Sequence, residues 1–201
     1  MIGNIEKKIC TGCKMCEDIC PKLAITFECD EQGFWYPKVD KQKCIECGLC
    51  DKRCPSLNID IITNNKMPEV YSAWSKDDNV RTTSTSGGAF WVIAKSFMDN
   101  GGLVAGSRYT KDWKGAQHII ARNIDDLLEV KGSKYFQSDT STIYSQVKKE
   151  LDNGRKVLFC GTPCQNAAIK SFLGREYENL FCMDFICRSI NSPKAFKAYI
   201  D

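Results

Sequence analysis

The sequence predicts two folded units of different classes, a small α+β unit rich in cysteine and a larger α/β domain after it. Two observations lead to this prediction. Two runs of four cysteines with identical spacing lie before residue 55. From residue 69 onward, short apolar runs typical of strands alternate with apolar residues at helical spacing. A chain of 201 residues is long enough to hold both units.

The composition excludes several classes of function. Lys and Arg total 28 and Asp and Glu total 25, and a net charge of +3 gives no reason to expect a nucleic-acid partner. No apolar run approaches the roughly 18 residues needed to span a membrane, and the N-terminus does not resemble a signal peptide. We therefore expect a cytoplasmic protein with reduced thiols, so its 13 cysteines favour metal or redox chemistry over disulfides.

The two cysteine runs share the pattern C-x2-C-x2-C-x3-C-P, displaced by 34 residues. They are Cys10, Cys13, Cys16 and Cys20, and Cys44, Cys47, Cys50 and Cys54. This spacing is typical of ferredoxins with two [4Fe–4S] clusters, in which the fourth cysteine of each run ligates the other cluster. We expect crossed sets: Cys10, Cys13, Cys16 and Cys54 for one cluster, and Cys44, Cys47, Cys50 and Cys20 for the other. Structural zinc does not account for two overlapping triplets.

Residues 1–57 are therefore predicted to form a ferredoxin-like dicluster domain of the α+β class. Between the two cysteine runs, residues 24–27 and 35–39 are predicted to be short strands around a turn at 30–33. Residues 58–68 are polar and end in proline, and we interpret them as a linker.

Residues 69–201 are predicted to form the α/β domain. We expect strands at 69–75, 103–107, 118–121, 156–160 and 181–186, and helices at 90–97, 143–151, 163–173 and 193–200. Asn-Gly pairs at 100–101 and 153–154 and Gly174 mark the ends of three of these helices.

Two segments of this domain are candidate ligand sites. Ser86, Gly87 and Gly88 open a helix, and the free amides at a helix start favour phosphate. An ordinary serine-capped helix would have the same composition, so both interpretations remain open. Lys134 and Tyr135 lie in a segment rich in amides and aromatic residues, for which a polar loop is the alternative.

A third segment, Cys-Gly-Thr-Pro-Cys-Gln at 160–165, joins a strand to a helix. Thr162 suits the N-cap and Gln165 the third helical position, which together make a capping box. A capped helix with an incidental cysteine explains these residues. It does not explain why Cys182 and Cys187 follow Cys164 so closely.

The motifs occur in a specific order after the dicluster unit: Ser-Gly-Gly at 86–88, Gly-Ser-Lys-Tyr at 132–135, Gly-Thr-Pro-Cys-Gln at 161–165 and Ile-Cys at 186–187. In this order the chain resembles the coenzyme F420 hydrogenase/dehydrogenase beta-subunit family. The resemblance implies an oxidoreductase, or a subunit of one, that binds FAD. It would pass electrons between [4Fe–4S] clusters and a two-electron small molecule such as coenzyme F420 or an unknown substrate, with a redox partner protein or subunit.

The resemblance also implies roles for individual residues. Ser86, Gly87 and Gly88 would approach the flavin phosphates, and Lys134 and Tyr135 would flank the flavin or its substrate. A further [4Fe–4S] cluster in the full-length protein would use two more ligands, Cys164 and Cys187.

Its remaining ligands come from a later C-x-x-C in the family, so we expect residues 69–201 to be an α/β domain that is incomplete at its C-terminus. The alternative function is a ferredoxin-like electron carrier whose α/β half is a non-catalytic docking domain.

Overall fold

The computed structural model of the chain describes residues 2–59 and 67–201. The predicted linker lies largely outside these residues. In the described part of the chain, no helix combines the length and apolar character that a membrane crossing requires.

The N-terminal unit is α+β, as predicted. After a short 3-10 helix at Ile2–Asn4 come α1 (Met15–Asp18), β1 (Ile25–Cys29), β2 (Trp35–Val39) and α2 (Leu49–Arg53). The two strands pair antiparallel across the predicted turn. Asp30 begins this turn, and its carboxylate accepts the amides of Gln32 and Phe34, both at 3.0 Å.

The duplication in sequence is repeated in backbone conformation. The residues on both sides of the second cysteine of each run have left-handed φ angles: 63° and 56° at Gly12 and Lys14, and 53° and 69° at Glu46 and Gly48. Two of the four are not glycine, although this region disfavours side chains. The two cysteine loops therefore share one backbone conformation around their second cysteine.

The α/β domain begins with two helices, α3 (Asp78–Thr82) and α4 (Ala89–Asp99). It continues with β3 (Leu103–Tyr109), β4 (Ala116–Ala121), α5 (Ile124–Val130), β5 (Ser138–Asp139), α6 (Ile143–Asp152), β6 (Val157–Cys160), α7 (Pro163–Leu173), β7 (Leu180–Met183) and α8 (Pro193–Ile200). The five strands form one sheet in the order β5-β4-β3-β6-β7, in which only β3 and β4 are antiparallel.

Alternation along the strands divides this sheet between two cores. Leu103, Val157 and Phe159 pack with α6 and α7 on one face. Val104 and Leu158 pack with α4 and α5 on the other. The predicted α/β class is therefore confirmed, with helices covering both faces of a mostly parallel sheet.

Three local predictions need correction. Residues 69–75 form no strand, because the amide of Ser75 donates to the Gly87 carbonyl (2.7 Å) rather than to a neighbouring strand. β7 is shorter than predicted and ends at Met183. Helices α3 and α5 and strand β5 are absent from the sequence prediction, although Asn123 caps α5 by accepting a hydrogen bond from the Asp126 amide at 2.9 Å.

The two units share a core. Met15 of α1 is 1% exposed and belongs to the apolar cluster that α6 and α7 form on the sheet. A second contact joins α2 to α7, where the Ser171 hydroxyl donates to the Arg53 carbonyl at 2.5 Å. The N-terminal unit is thus packed against the α/β domain at α1 and at the end of α2.

A buried polar chain fixes β4, β5, β6 and α7 relative to one another. The Gln165 amide donates to the Ser138 hydroxyl (3.1 Å), which donates to Nδ1 of His118 (3.0 Å), and His118 Nε2 donates to the Cys160 carbonyl (3.2 Å). Every hydrogen-bonding group of the neutral imidazole is used. Burial lowers the pKa of His118 to about 4, although the bond to Cys160 opposes this shift.

This low pKa predicts an acid sensitivity that depends on one residue. In the unfolded chain His118 binds a proton below about pH 6.5, whereas the folded chain resists protonation down to about pH 4. Stability is therefore present above pH 6.5 and lost as the pH falls. Between pH 7.5 and 5.5 the loss should be about 1.4 kcal/mol. Denaturant titrations at the two pH values measure it, and His118→Gln should remove this component. An equal pH dependence in wild type and variant would contradict the assignment.

Candidate iron–sulfur and ligand sites

One candidate cluster site lies at the solvent-facing end of the N-terminal unit. A cavity of about 260 Å³ is bordered by four cysteines from both runs, Cys20, Cys44, Cys47 and Cys50. We call this the outer site, because Cys47 is exposed and Ile45 beside it is 57% exposed.

The second candidate site, which we call the inner site, is a smaller cavity of about 20 Å³. Its cysteines are Cys10, Cys13, Cys16 and Cys54. Cys16 and Cys54 are buried and pack with Ile2 and Ile25 in the apolar core of the unit. Each cavity therefore gathers three cysteines of one run and the last of the other.

The donor sets suit iron–sulfur clusters. Four thiols surround each cavity, which is the ligand set of a [4Fe–4S] cluster. No three Cys, His, Asp or Glu side chains within residues 2–59 and 67–201 are grouped so that they could hold a single metal ion. The inner cavity is narrow, at about 20 Å³. The assignment of a cluster there therefore rests on the four thiols around the cavity and not on its volume.

Burial makes the inner thiols costly to ionise without a metal. It raises the pKa of Cys13 to about 12, and Cys54 adds to this rise. The pKa of Cys16 is also raised by burial, with further contributions from Cys13 and Cys10. Cluster assembly at the inner site must therefore displace protons from buried thiols. Backbone amides oppose the shift, since Gly12 donates to the thiol of Cys10 and Met15 to that of Cys13.

The inner cysteine loop is hydrogen-bonded directly to the α/β domain. The carbonyl of Cys13 accepts two hydroxyls, from Thr140 (2.8 Å) and from Tyr144 (2.7 Å). The side-chain amide of Gln137 lies 3.4 Å from the carbonyl of Gly12. These contacts connect residues more than a hundred positions apart in the chain.

The same loop buries a charge at the junction. Lys14 is 7% exposed, and its ammonium lies 2.9 Å from a carboxylate oxygen of Asp139 and 4.2 Å from the ring centre of Trp35. Burial raises the pKa of Asp139, but hydrogen bonds from Ser141 and Lys14 and the ammonium charge outweigh it and lower the pKa overall. The charge of Lys14 is thus compensated within the junction.

Two cysteines of the α/β domain, Cys164 and Cys187, are the predicted ligands of a further cluster. Cys164 sits in the first turn of α7, with its sulfur 3.0 Å from the Thr162 hydroxyl. Burial raises the pKa of Cys187, and the nearby Cys164 contributes to that rise. Cys164 contributes in the same way to the raised pKa of Cys13. Cys164 is therefore near both Cys187 and Cys13 of the inner cysteine loop.

The predicted phosphate-binding residues precede α4, which has no side-chain cap. Gly88 is its N-cap with a left-handed φ of 82°, and Gly87 packs closely on residues 73–74. The hydroxyls of Thr82, Thr83 and Ser84 donate to carbonyls of α3. In the described chain, the exposed hydroxyl of Ser86 has no such bond, and neither glycine could carry a side chain without strain or close contact.

Lys134 and Tyr135 are neighbours in sequence but differ in their surroundings, because Lys134 is bonded to the protein and Tyr135 is exposed. The Lys134 ammonium is surrounded by four carbonyls at the end of α5, those of Glu129, Val130, Lys131 and Gly132, at 2.9 to 3.1 Å. It therefore terminates this helix. Burial lowers the pKa of Lys134 to about 8. The Tyr135 ring is 71% exposed.

Sequence reasoning missed the cation that lies beside the loop before α4. The Lys131 ammonium donates to the Thr83 hydroxyl at 2.7 Å and lies 5.1 Å from the ring centre of Trp91. The Ser133 amide also approaches the Thr85 hydroxyl (3.4 Å). The loops at 82–88 and 131–135 are therefore neighbours. In the sequence, the only sign of this contact is that both segments are rich in polar residues.

Comparisons with known proteins agree with this arrangement. Residues 9–58 match the family model described as a 4Fe-4S dicluster domain. Residues 70–145 match the model described as coenzyme F420 hydrogenase/dehydrogenase, beta subunit N-term. No curated protein matches the chain.

Among solved structures, the chain is similar to a chain of the F420-reducing [NiFe] hydrogenase complex from Methanosarcina barkeri, studied with xenon derivatization. The TM-score is 0.51 and the identity 18%, over 63% of this chain and 46% of that one. At this identity the likeness shows the fold, and the chain spans less than half of that protein.

The structure thus provides two four-cysteine sites in one small unit, joined through an inner loop to an α/β domain with a matching fold. Residues 9–58 thus match a 4Fe–4S dicluster domain, and residues 70–145 are similar to the N-terminal part of the coenzyme F420 hydrogenase/dehydrogenase beta subunit, which agrees with the resemblance in the sequence.

Proposed function

We propose that this protein is an iron–sulfur flavoprotein oxidoreductase, or a subunit of one, that passes electrons between its two [4Fe–4S] clusters and an FAD-linked two-electron acceptor. Coenzyme F420 or another small molecule would be that acceptor. The proposal is supported chiefly by the junction, where the Cys13 loop is hydrogen-bonded to the α/β domain beside Cys164. An electron carrier with an unrelated docking domain would not need such a contact.

The clusters supply one-electron transfer when bound, and the residues of the chain determine where they are held. Two of the inner cysteines, Cys16 and Cys54, are buried in the apolar core of the unit. The amides of Gly12 and Met15 donate to the thiols of the other two, Cys10 and Cys13. At the outer site Cys47 is exposed, whereas none of the inner cysteines is, so we infer that a redox partner protein exchanges electrons at the outer end.

For the flavin we propose the loop before α4. The uncapped amides at the start of this 11-residue helix carry the positive end of its dipole, and Lys131 adds a positive charge nearby. Ser86 has a free hydroxyl next to these groups. Lys134 would act on this site indirectly, by holding the end of α5, and Tyr135 has the exposure needed for ring contact with a ligand. A third cluster at Cys164 and Cys187 would need two further ligands from other residues.

The crossed ligand sets predict a specific pattern of cluster loss. Wild-type protein prepared without oxygen should contain about eight iron and eight sulfide per chain. Cys20→Ser should remove or alter the outer cluster, so its EPR spectrum should match that of Cys44→Ser. Cys54→Ser should instead match Cys10→Ser.

Cys29→Ser is the control for this experiment, because Cys29 is exposed and borders neither cavity. If the spectrum of Cys20→Ser matches that of Cys10→Ser, the clusters are not crossed.

An introduced negative charge tests the flavin site. Ser86→Asp places a carboxylate where a phosphate should bind, and should reduce FAD content at least tenfold by like-charge repulsion. The matched control is Ser86→Asn, which has nearly the same size without charge and should retain the flavin. Loss of FAD in Ser86→Asp cannot be attributed to helix damage, because an acidic residue stabilises a helix start.

Flavin content follows from the absorbance of protein purified with FAD present, with iron content as the check on folding. Equal FAD in the two variants would refute the phosphate role of this loop. A wild-type protein with eight iron and no flavin would favour the alternative, an electron carrier.

A further inference from the structure

Two buried hydroxyls of the α/β domain hold the carbonyl of Cys13. Tyr144 is fully buried, with its ring between those of Phe159 and Phe172, at centroid distances of 6.1 and 6.0 Å. Its hydroxyl and that of Thr140 both donate to this one oxygen. Both hydroxyls are buried and need an acceptor, and the two lone pairs of this one carbonyl oxygen serve both of them.

The position of this carbonyl bears on the inner site. It belongs to the peptide group between Cys13 and Lys14, and the next amide, that of Met15, donates to the Cys13 thiol. Lys14 has a left-handed φ of 56°, a conformation that persists only when its surroundings enforce it. Because the surroundings hold Lys14 in this conformation, fixing the peptide between Cys13 and Lys14 also orients the next peptide, whose Met15 amide faces the sulfur.

We propose that Tyr144 is a positioning residue for the inner cluster, which orients the Cys13 loop from the α/β domain and thereby sets the reduction potential of that cluster. Hydrogen bonds to cluster sulfurs and the dipoles around them are established determinants of potential. The inference rests on the two clusters of the proposed function and is independent of its flavin.

The outer site provides an internal reference. Cys47 is the counterpart of Cys13 in the second run, and its flanking residues have the same left-handed conformations. In the described part of the chain, no side-chain hydroxyl donates to the Cys47 carbonyl. The α/β domain therefore holds the second cysteine of one loop and not of the other, although the two loops share the same backbone conformation.

The test is a redox titration of both clusters, followed by EPR, in anaerobically purified Tyr144→Phe. This change removes the hydroxyl and keeps the buried ring. Loss of a positive dipole end near the inner site should make its reduction harder. The ratio of reduced to oxidised inner cluster at a fixed potential should fall about tenfold, which is ~59 mV for one electron. The outer cluster should be unchanged.

Two further variants make the result specific. Thr140→Val removes the second donor and should shift the inner cluster in the same direction. Tyr177→Phe removes a hydroxyl of the same domain that donates to Asp152 (2.8 Å) at the exposed surface, and should shift neither cluster.

An unchanged inner potential in both Tyr144→Phe and Thr140→Val would overturn the proposal, as would equal shifts at the two sites. Iron analysis of the wild-type sample separates this outcome from failure of the proposed function, which would appear as fewer than two clusters before any substitution.

Discussion

The carbonyl oxygen of Cys13 lies where the first cysteine loop meets β5 and α6, and the relation between the two domains follows from how it is satisfied. Thr140 and Tyr144 reach it from the α/β domain, while Lys14, the next residue, forms an ion pair with Asp139. Met15 then enters the apolar core of α6 and α7. Three consecutive residues thus contribute a hydrogen bond, a charge and an apolar contact. Because buried groups of these kinds lose stability when unpaired, the junction has little freedom to move.

The two cysteine loops have the same backbone conformation but lie in different surroundings. The left-handed pairs around Cys13 and Cys47 curl both loops alike. The first loop became the inner one and is enclosed by a second domain, whereas the second keeps Cys47 exposed. Burial and solvent exposure are among the main determinants of cluster potential. Two sites with equal ligands can therefore differ in potential because of their positions alone.

The sequence was most informative where the determining contacts are local. The bounds of α7 follow from Thr162, Pro163 and Gly174, all within the helix or one residue of it. The cysteine spacing likewise predicts which four cysteines border each of the two cavities. The strand predicted at 69–75 is wrong because its apolar residues have the pattern of a strand, whereas the amide of Ser75 bonds to the carbonyl of Gly87 in a loop. The contacts of Gln137, Thr140 and Tyr144 with residues 11–13 were beyond reach, since no local pattern records a partner more than a hundred residues away.

The two lysines near the end of α5 show how position changes the role of a residue type. Lys134 belongs to the sequence motif, but its three donors face four carbonyls and its pKa is lowered to about 8 by burial. Releasing it to a ligand would leave the end of α5 without its cap. Lys131 lies outside the motif, with its ammonium against Trp91 and Thr83, next to the loop before α4. Lys134 is thus suited to stabilising the end of α5 and the loop that follows. Lys131 is suited to binding a negatively charged ligand, because it can exchange its hydrogen-bond partner without uncapping a helix.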